Sequence, residues 1–151
     1  MENRTGVLFP PPLVPVVAIA AGAVLNQFIA PWPVGNGWMF AGGLLFGAAA
    51  GFAAWALLMM RKYRTTPSPF GAATTLLASG PYRISRNPIY LAMLGIQAGT
   101  ALAFGLSATL ALLPLSAWLL GRFVIRREES FLRATFPAEF AALTARVRRW
   151  L

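Results

Sequence analysis

Apolar positions along the chain fall into four long blocks separated by short polar or basic stretches. The first runs from about Pro12 to Ala30, the second from Trp38 to Met60, the third from Pro88 to Phe104 and the fourth from Ser107 to Ile125. Each is close to the roughly 20 residues a helix needs to cross a hydrocarbon core about 30 Å thick. No Lys, Arg, Asp or Glu interrupts them except Arg122, near the end of the fourth. The pattern predicts an all-α fold: a single-domain, polytopic bundle of four transmembrane helices spanning residues 1–151. Residues 61–87 then form a basic loop, and residues 126–151 a helical tail broken at Phe136-Pro137, where proline suits a first helical turn. Phe140, Leu143 and Val147 share one face of that tail among arginines, the pattern of an amphipathic helix lying in an interface.

Within the blocks, small residues and prolines refine the expectation. Gly43, Gly47 and Gly51 recur every four residues, with Ala50 and Ala54 nearby. Such spacing lets helices approach closely, and packing inside the monomer is expected rather than a dimer seam. Pro114 predicts a kink in the fourth helix. Ala18-Ile19-Ala20 resembles a signal-peptidase site, but the apolar run continues past it and the first helix is expected to be retained.

Charge then orients the bundle. Pro31–Gly37 and the turn near Phe104–Ser107 carry none. Arg4, the group Arg61, Lys62, Arg64, Arg83 and Arg86, and the run from Arg126 to Arg149 all fall on the opposite side. By the positive-inside rule that side is cytoplasmic, together with both termini, in what is expected to be a bacterial inner membrane. The formal charge of +9 is accounted for as topology and anchoring signals to membrane lipids, and no nucleic-acid partner is expected.

Composition narrows the chemistry. Hydrophobic residues make up 58% of the chain and charged residues 11%, far from the globular average of about a quarter charged. The acids are four glutamates, with no Asp, no His and no Cys. That excludes disulfides, thiolate nucleophiles, the usual hydrolase triads and the common metal-ligand sets, so no metal site is expected. Chemistry must come from Arg, Glu, Tyr, Asn and backbone groups, or from a cofactor they hold.

Two polar stretches stand out against this background. Gly80–Tyr90 reads G-P-Y-R-I-S-R-N-P-I-Y. Gly80-Pro81 forms a turn, and Asn87-Pro88 reads as the N-cap and first residue of the third helix. That helix start offers free N–H groups and a positive dipole end, beside Arg83 and Arg86, to an anionic group. The second stretch, Arg126-Arg127-Glu128-Glu129, places two carboxylates where an ionisable group near bilayer depth is costly. Neighbouring residues point about 100° apart on a helix, so one glutamate can bind a ligand while the other pairs with arginine.

Taken in order, G-P-Y-R-x-x-R-N-P-x-Y, a short helical hairpin, R-E-E-x-x-L, a Phe-Pro turn and a V-R-R-W-L ending resemble the isoprenylcysteine carboxyl methyltransferase and phospholipid methyltransferase superfamily. The resemblance covers about the last ninety residues, including Thr66-Pro67 and Leu76–Ser79, and leaves the first two helices unmatched. It implies a small integral membrane enzyme that uses S-adenosylmethionine to methylate a lipophilic acceptor. It implies further that Gly80, Tyr82, Arg83, Arg86, Asn87, Pro88, Tyr90, Glu128 and Glu129 bind the cofactor, with Arg86 and Glu129 catalytic. Arg146 matches a basic position in the superfamily's C-terminal segment. Two departures accompany the match: Asn87 stands where many members have His, and Phe140 and Leu143 stand where tyrosines are often found. With no His to act as base, the acceptor is expected to be an ionised carboxylate, a thiolate or a free amine, entering from the bilayer. A nicotinamide-dependent membrane reductase and a non-catalytic protein keeping the fold remain alternatives, and the oligomeric state stays open.

Overall fold

The computed structural model describes residues 6–7, 9–29, 35–65 and 75–151. The expectations placed on Arg4, on Pro31–Val34 and on Thr66-Pro67 lie outside these residues. Among the described residues the fold is helical with no strand. Helix α1 covers Leu13–Leu25, α2 Asn36–Lys62, α3 Pro88–Phe104, α4 Ser107–Ala111, α5 Leu113–Leu119, α6 Arg126–Thr135 and α7 Pro137–Arg146. A 3-10 turn, Gly80–Arg83, precedes α3, and a π-helical turn, Leu120–Ile125, joins α5 to α6.

The four predicted blocks are all helical, but they differ in reach. Helix α2, at 27 residues, is about 40 Å long and alone among the described helices is long and apolar enough to cross a bilayer. Only 11% of its most apolar stretch is buried, so Phe40, Leu44 and Leu58 face outward. Helix α3 keeps its expected bounds because Pro88 starts it and Gly105, at φ +66°, ends it in the left-handed region. Helix α1 stops at Leu25, five residues short of expectation. Asn26 then ties it to the α3–α4 turn, its amide donating to the Gly105 carbonyl (3.0 Å) and its Oδ1 accepting from Ala108 N–H (2.8 Å).

The fourth block is not one helix. It breaks at Leu112 before Pro114, whose missing N–H removes an intrahelical bond, and resumes as α5. It then widens into the π turn, where i→i+5 bonding sets residues five apart above one another. Leu120 and Ile125 thereby reach the same core as Val124, and all three are fully buried beside Tyr90, Val7 and Val14.

Helices α2 and α3 form the main packed pair, in a different register from the one expected. Gly43, Gly47 and Gly51 face open space. The close approach is made instead by Gly42, where a Cβ would lie 2.4 Å from the Ala103 nitrogen, and by Gly99, 2.6 Å from the Phe46 nitrogen. Ala49 and Ala56 continue the buried line one and two heptads further along α2. Helix α1 belongs to the bundle too, with Val14, Ala18 and Gly22 buried and Gly22 against Thr109.

The tail also departs from expectation. Phe140, Leu143 and Val147 do share a face, but all three are buried inside the protein. The apolar face of α7 is thus occupied by its own chain rather than presented to a membrane surface.

Candidate functional site

The polar stretches of the sequence converge at one end of the bundle, and a short backbone strap organises them. Gly80 opens the 3-10 turn at φ +58°, with Met59 3.3 Å from where a Cβ would be, so both conformation and space call for glycine. Beyond the turn, residues Ser85–Asn87 pair with the end of the chain. Arg86 N–H donates to the Arg148 carbonyl (3.1 Å). The Arg149 carbonyl accepts from both Ser85 Oγ (3.2 Å) and Asn87 Nδ2 (3.0 Å). Asn87 sits at the N-cap position of α3 but makes no side-chain cap bond there. Its amide fastens the tail instead, while its own N–H donates to Ser85 Oγ (3.1 Å).

Helix α6 divides its two glutamates between different partners. Glu129, 6% exposed, takes the Arg149 guanidinium on both oxygens (Nε–Oε1 3.2 Å, Nη2–Oε2 2.6 Å). Arg86 Nη2 adds a third contact to Oε1 at 3.3 Å. The paired carboxylate holds Arg149 above the usual arginine range, with burial opposing. Arg86 and Arg133 both stack on the Phe140 ring, at 5.9 and 5.8 Å from its centroid. A tyrosine hydroxyl is therefore not needed at this position for the ring to organise the arginines.

Glu128 has no such support. Its Oε1 accepts a 2.5 Å hydrogen bond from Tyr90 Oη, and it pairs with no arginine among the described residues. Burial pushes its carboxyl up to about 7, partly opposed by the Tyr90 bond and reinforced by the charge of Glu129. Tyr82 is buried close by, and its hydroxyl has no partner among the described residues; burial, then the field of Glu128, hold it protonated well above the usual tyrosine range. The buried Nε of Arg86 is also unpartnered. Tyr82, Tyr90 and Glu128 thus form a box of two aromatic rings and one carboxylate with unused hydrogen-bonding capacity.

Of the residues expected from sequence, the structure brings Tyr82, Tyr90 and Glu128 into the box, and Arg86, Asn87 and Glu129 into the adjoining clamp. Gly80 and Pro88 set the backbone on either side. Arg83 and Arg146 are exposed and belong to neither group. Ser85 and Arg149 are essential to the clamp and were not singled out in the sequence. Arg149 lies in a run of three basic positions that sequence alone does not rank, whereas Ser85 between two arginines is a small polar residue that a strap of this kind requires.

A helical fold with one outward-facing apolar helix long enough to cross a bilayer, and a partly buried cluster of two tyrosines and a carboxylate at its basic end, is the arrangement of a membrane-type protein. The phospholipid methyltransferase family matches residues 38–139, and the chain belongs to that family, a family of methyltransferases. Over 73 residues the chain is 42% identical to the cobalt-zinc-cadmium resistance protein CzcN of Cupriavidus metallidurans. That match covers 46% of this chain and 33% of the relative, so the chain spans about a third of that protein's length. No solved structure matches it.

Proposed function

We propose that this protein transfers a methyl group from S-adenosylmethionine to a lipophilic acceptor that reaches the site from the bilayer. The observation that carries the reading is Glu128: a partly buried carboxylate bonded to Tyr90 and near Tyr82, with no cation paired to it among the described residues, in a chain of net charge +9. A site of that make-up is suited to a ligand cation, because the carboxylate regains its charge when one arrives and the ring faces add to the attraction. When bound, S-adenosylmethionine supplies such a cation and the activated methyl group on it.

The chain's own residues bind and orient. Glu128, Tyr90 and Tyr82 would hold the sulfonium end, and the unpartnered Nε of Arg86 offers a donor to the cofactor's carboxylate. Glu129 and Arg149 keep Arg86 in place, which makes Glu129 a positioning residue. Tyr82 and Tyr90 are buried, and alignment of acceptor and methyl group can lower the barrier by several kcal/mol.

Calorimetry on detergent-purified protein tests the reading. Wild type is expected to bind S-adenosylmethionine and S-adenosylhomocysteine and not NADPH. Glu128→Gln is expected to weaken S-adenosylmethionine by at least about tenfold more than S-adenosylhomocysteine, whose sulfur is a neutral thioether. Equal losses for both ligands would refute the sulfonium assignment. Binding of NADPH alone would favour a reductase, and no binding of any of them a non-catalytic protein.

A further inference from the structure

In Arg126-Arg127-Glu128-Glu129 the two glutamates have their places in the site, and Arg127 has a contact of its own. Its Nη1 donates to the carbonyl of Gly6, in the stretch preceding α1. Gly6 holds the left-handed backbone conformation at φ +69°, which favours glycine. Val7 follows directly and is 6% exposed, within the buried cluster that contains Tyr90. Phe9 packs against the same cluster. Pro10, Pro11 and Pro12 then lead into α1, where Leu13 N–H donates to the Pro10 carbonyl (3.0 Å) and Val14 N–H to the Pro11 carbonyl (3.1 Å). Proline fixes φ, so this connection is a stiff base for the residues ahead of it.

Tyr90 is 8% exposed, so a ligand that meets its ring must first displace a neighbour. Of the buried residues that share its cluster, Val14 lies on α1, and Leu120, Val124 and Ile125 on the π turn. Moving any of these repacks the bundle, which close packing resists. Val7 lies on no helix, and the bond that fastens its neighbour Gly6 is at the surface. A hydrogen bond in contact with water contributes little to stability, so this stretch can open locally while the helices stay in place. Arg127 and Glu128 point about 100° apart on α6. One fastens the stretch that carries Val7, and the other accepts the Tyr90 hydroxyl at 2.5 Å.

We propose that the stretch carrying Gly6 and Val7 is a lid over the Tyr90–Glu128 pair and that Arg127 is its latch, a positioning residue acting through Gly6 and Val7. The lid opens to pass the cofactor to the ring and closes again behind it. The proposal rests on the reading of Tyr82, Tyr90 and Glu128 as a ligand site, but the latch is testable with no ligand present.

The chain has no cysteine, so Val7→Cys gives the full-length protein a single thiol. In an uncharged detergent, its rate of reaction with a water-soluble maleimide reads lid opening, and Ser130→Cys, exposed on α6, is the open reference. Val7→Cys is expected to react at least about tenfold more slowly than Ser130→Cys. Adding Arg127→Gln is expected to speed Val7→Cys about three- to tenfold, Arg127→Lys to restore much of the protection, and Arg126→Gln to change nothing. Gly6→Ala, which opposes the left-handed backbone and leaves the guanidinium intact, is expected to act like Arg127→Gln. Surface plasmon resonance with S-adenosylhomocysteine then separates a lid from a structural strut. A lid governs entry and exit alike, so Arg127→Gln is expected to raise both rates about three- to tenfold and keep Kd within about twofold. Loss of a strut would raise dissociation only. Unchanged Val7→Cys labelling with both Arg127→Gln and Gly6→Ala would overturn the latch, and faster dissociation without faster association would overturn the lid. If S-adenosylhomocysteine does not bind wild type, the ligand reading fails and the lid over it fails too, while the labelling still decides the latch.

Discussion

Replacing Glu128 by Gln should make the protein more stable in neutral and alkaline solution and remove a pH dependence that wild type carries. The carboxyl is pushed up to about 7 from the ordinary glutamate value of 4.5, chiefly by burial. A raised acid pKa means that folding disfavours the ionised form. The stability contribution is therefore intact below the unfolded value, falls as pH rises towards 7, and levels off above it. A shift of this size corresponds to about 3 kcal/mol between the two plateaus. Among the described residues Tyr90, Tyr82 and Glu129 are the titratable groups that act on this carboxyl, and none of them is a cation that would cancel the effect. Glutamine keeps an acceptor for Tyr90 and carries no charge. Unfolding in detergent between about pH 5 and pH 9 should thus show wild type losing stability with rising pH and Glu128→Gln staying flatter. Tyr90→Phe, which removes the bond that lowers the Glu128 value, should extend the wild-type decline to higher pH. Identical pH profiles for wild type and Glu128→Gln would refute the claim that this carboxyl is buried without a cation.

Two other outcomes follow from particular contacts. Arg149→Ala should destabilise by about 2 kcal/mol, less than a fully buried ion pair because 39% of its side chain is exposed. Faster hydrogen exchange at Arg86 N–H is expected with it, while Arg148→Ala leaves both measurements near wild type. In the bundle, Gly42→Leu should cost about 3 kcal/mol or more because its Cβ meets the α3 backbone. Gly43→Leu, facing open space, should change unfolding by no more than about 0.5 kcal/mol, and the reverse order would show that the helices pack in the register first expected.

Helix α3 was legible to the residue because its ends carry their own punctuation, Pro88 and Gly105. The α2–α3 register was not. Small residues lie on two faces of α2, at Gly43-Gly47-Gly51 and at Gly42-Ala49-Ala56, and only the partner, with Gly95 and Gly99, decides which face is used. The π turn was hidden for a related reason: its winding is favoured by burying Leu120, Val124 and Ile125 together, a tertiary effect with no local sequence mark. The divergence of Glu128 and Glu129 could be read from helix geometry alone. Which arginines serve Glu129 could not, because Arg146, Arg148 and Arg149 differ in sequence only by position, and the choice is made by the pairing of Arg148 and Arg149 backbone with Ser85–Asn87.

That pairing explains why, among the described residues, one glutamate takes both arginines and the other none. The strap and the tail are more than sixty residues apart in sequence, and their hydrogen bonds hold Arg149 where its fork reaches both oxygens of Glu129. Arg86, the middle residue of the strap, reaches Glu129 as well. Glu129 thereby takes both Arg86 and Arg149. A ligand cation entering here has little to gain at Glu129, because displacing either arginine would break the clamp. Glu128, one residue earlier and about 100° around the helix, receives none of this charge. It meets Tyr90 instead, and the negative charge of Glu129 disfavours its ionisation further. Occupying Glu129 is thus what reserves Glu128. The adjacent acids, which look redundant in sequence, take different partners, and on the proposed function one builds the site while the other receives its ligand.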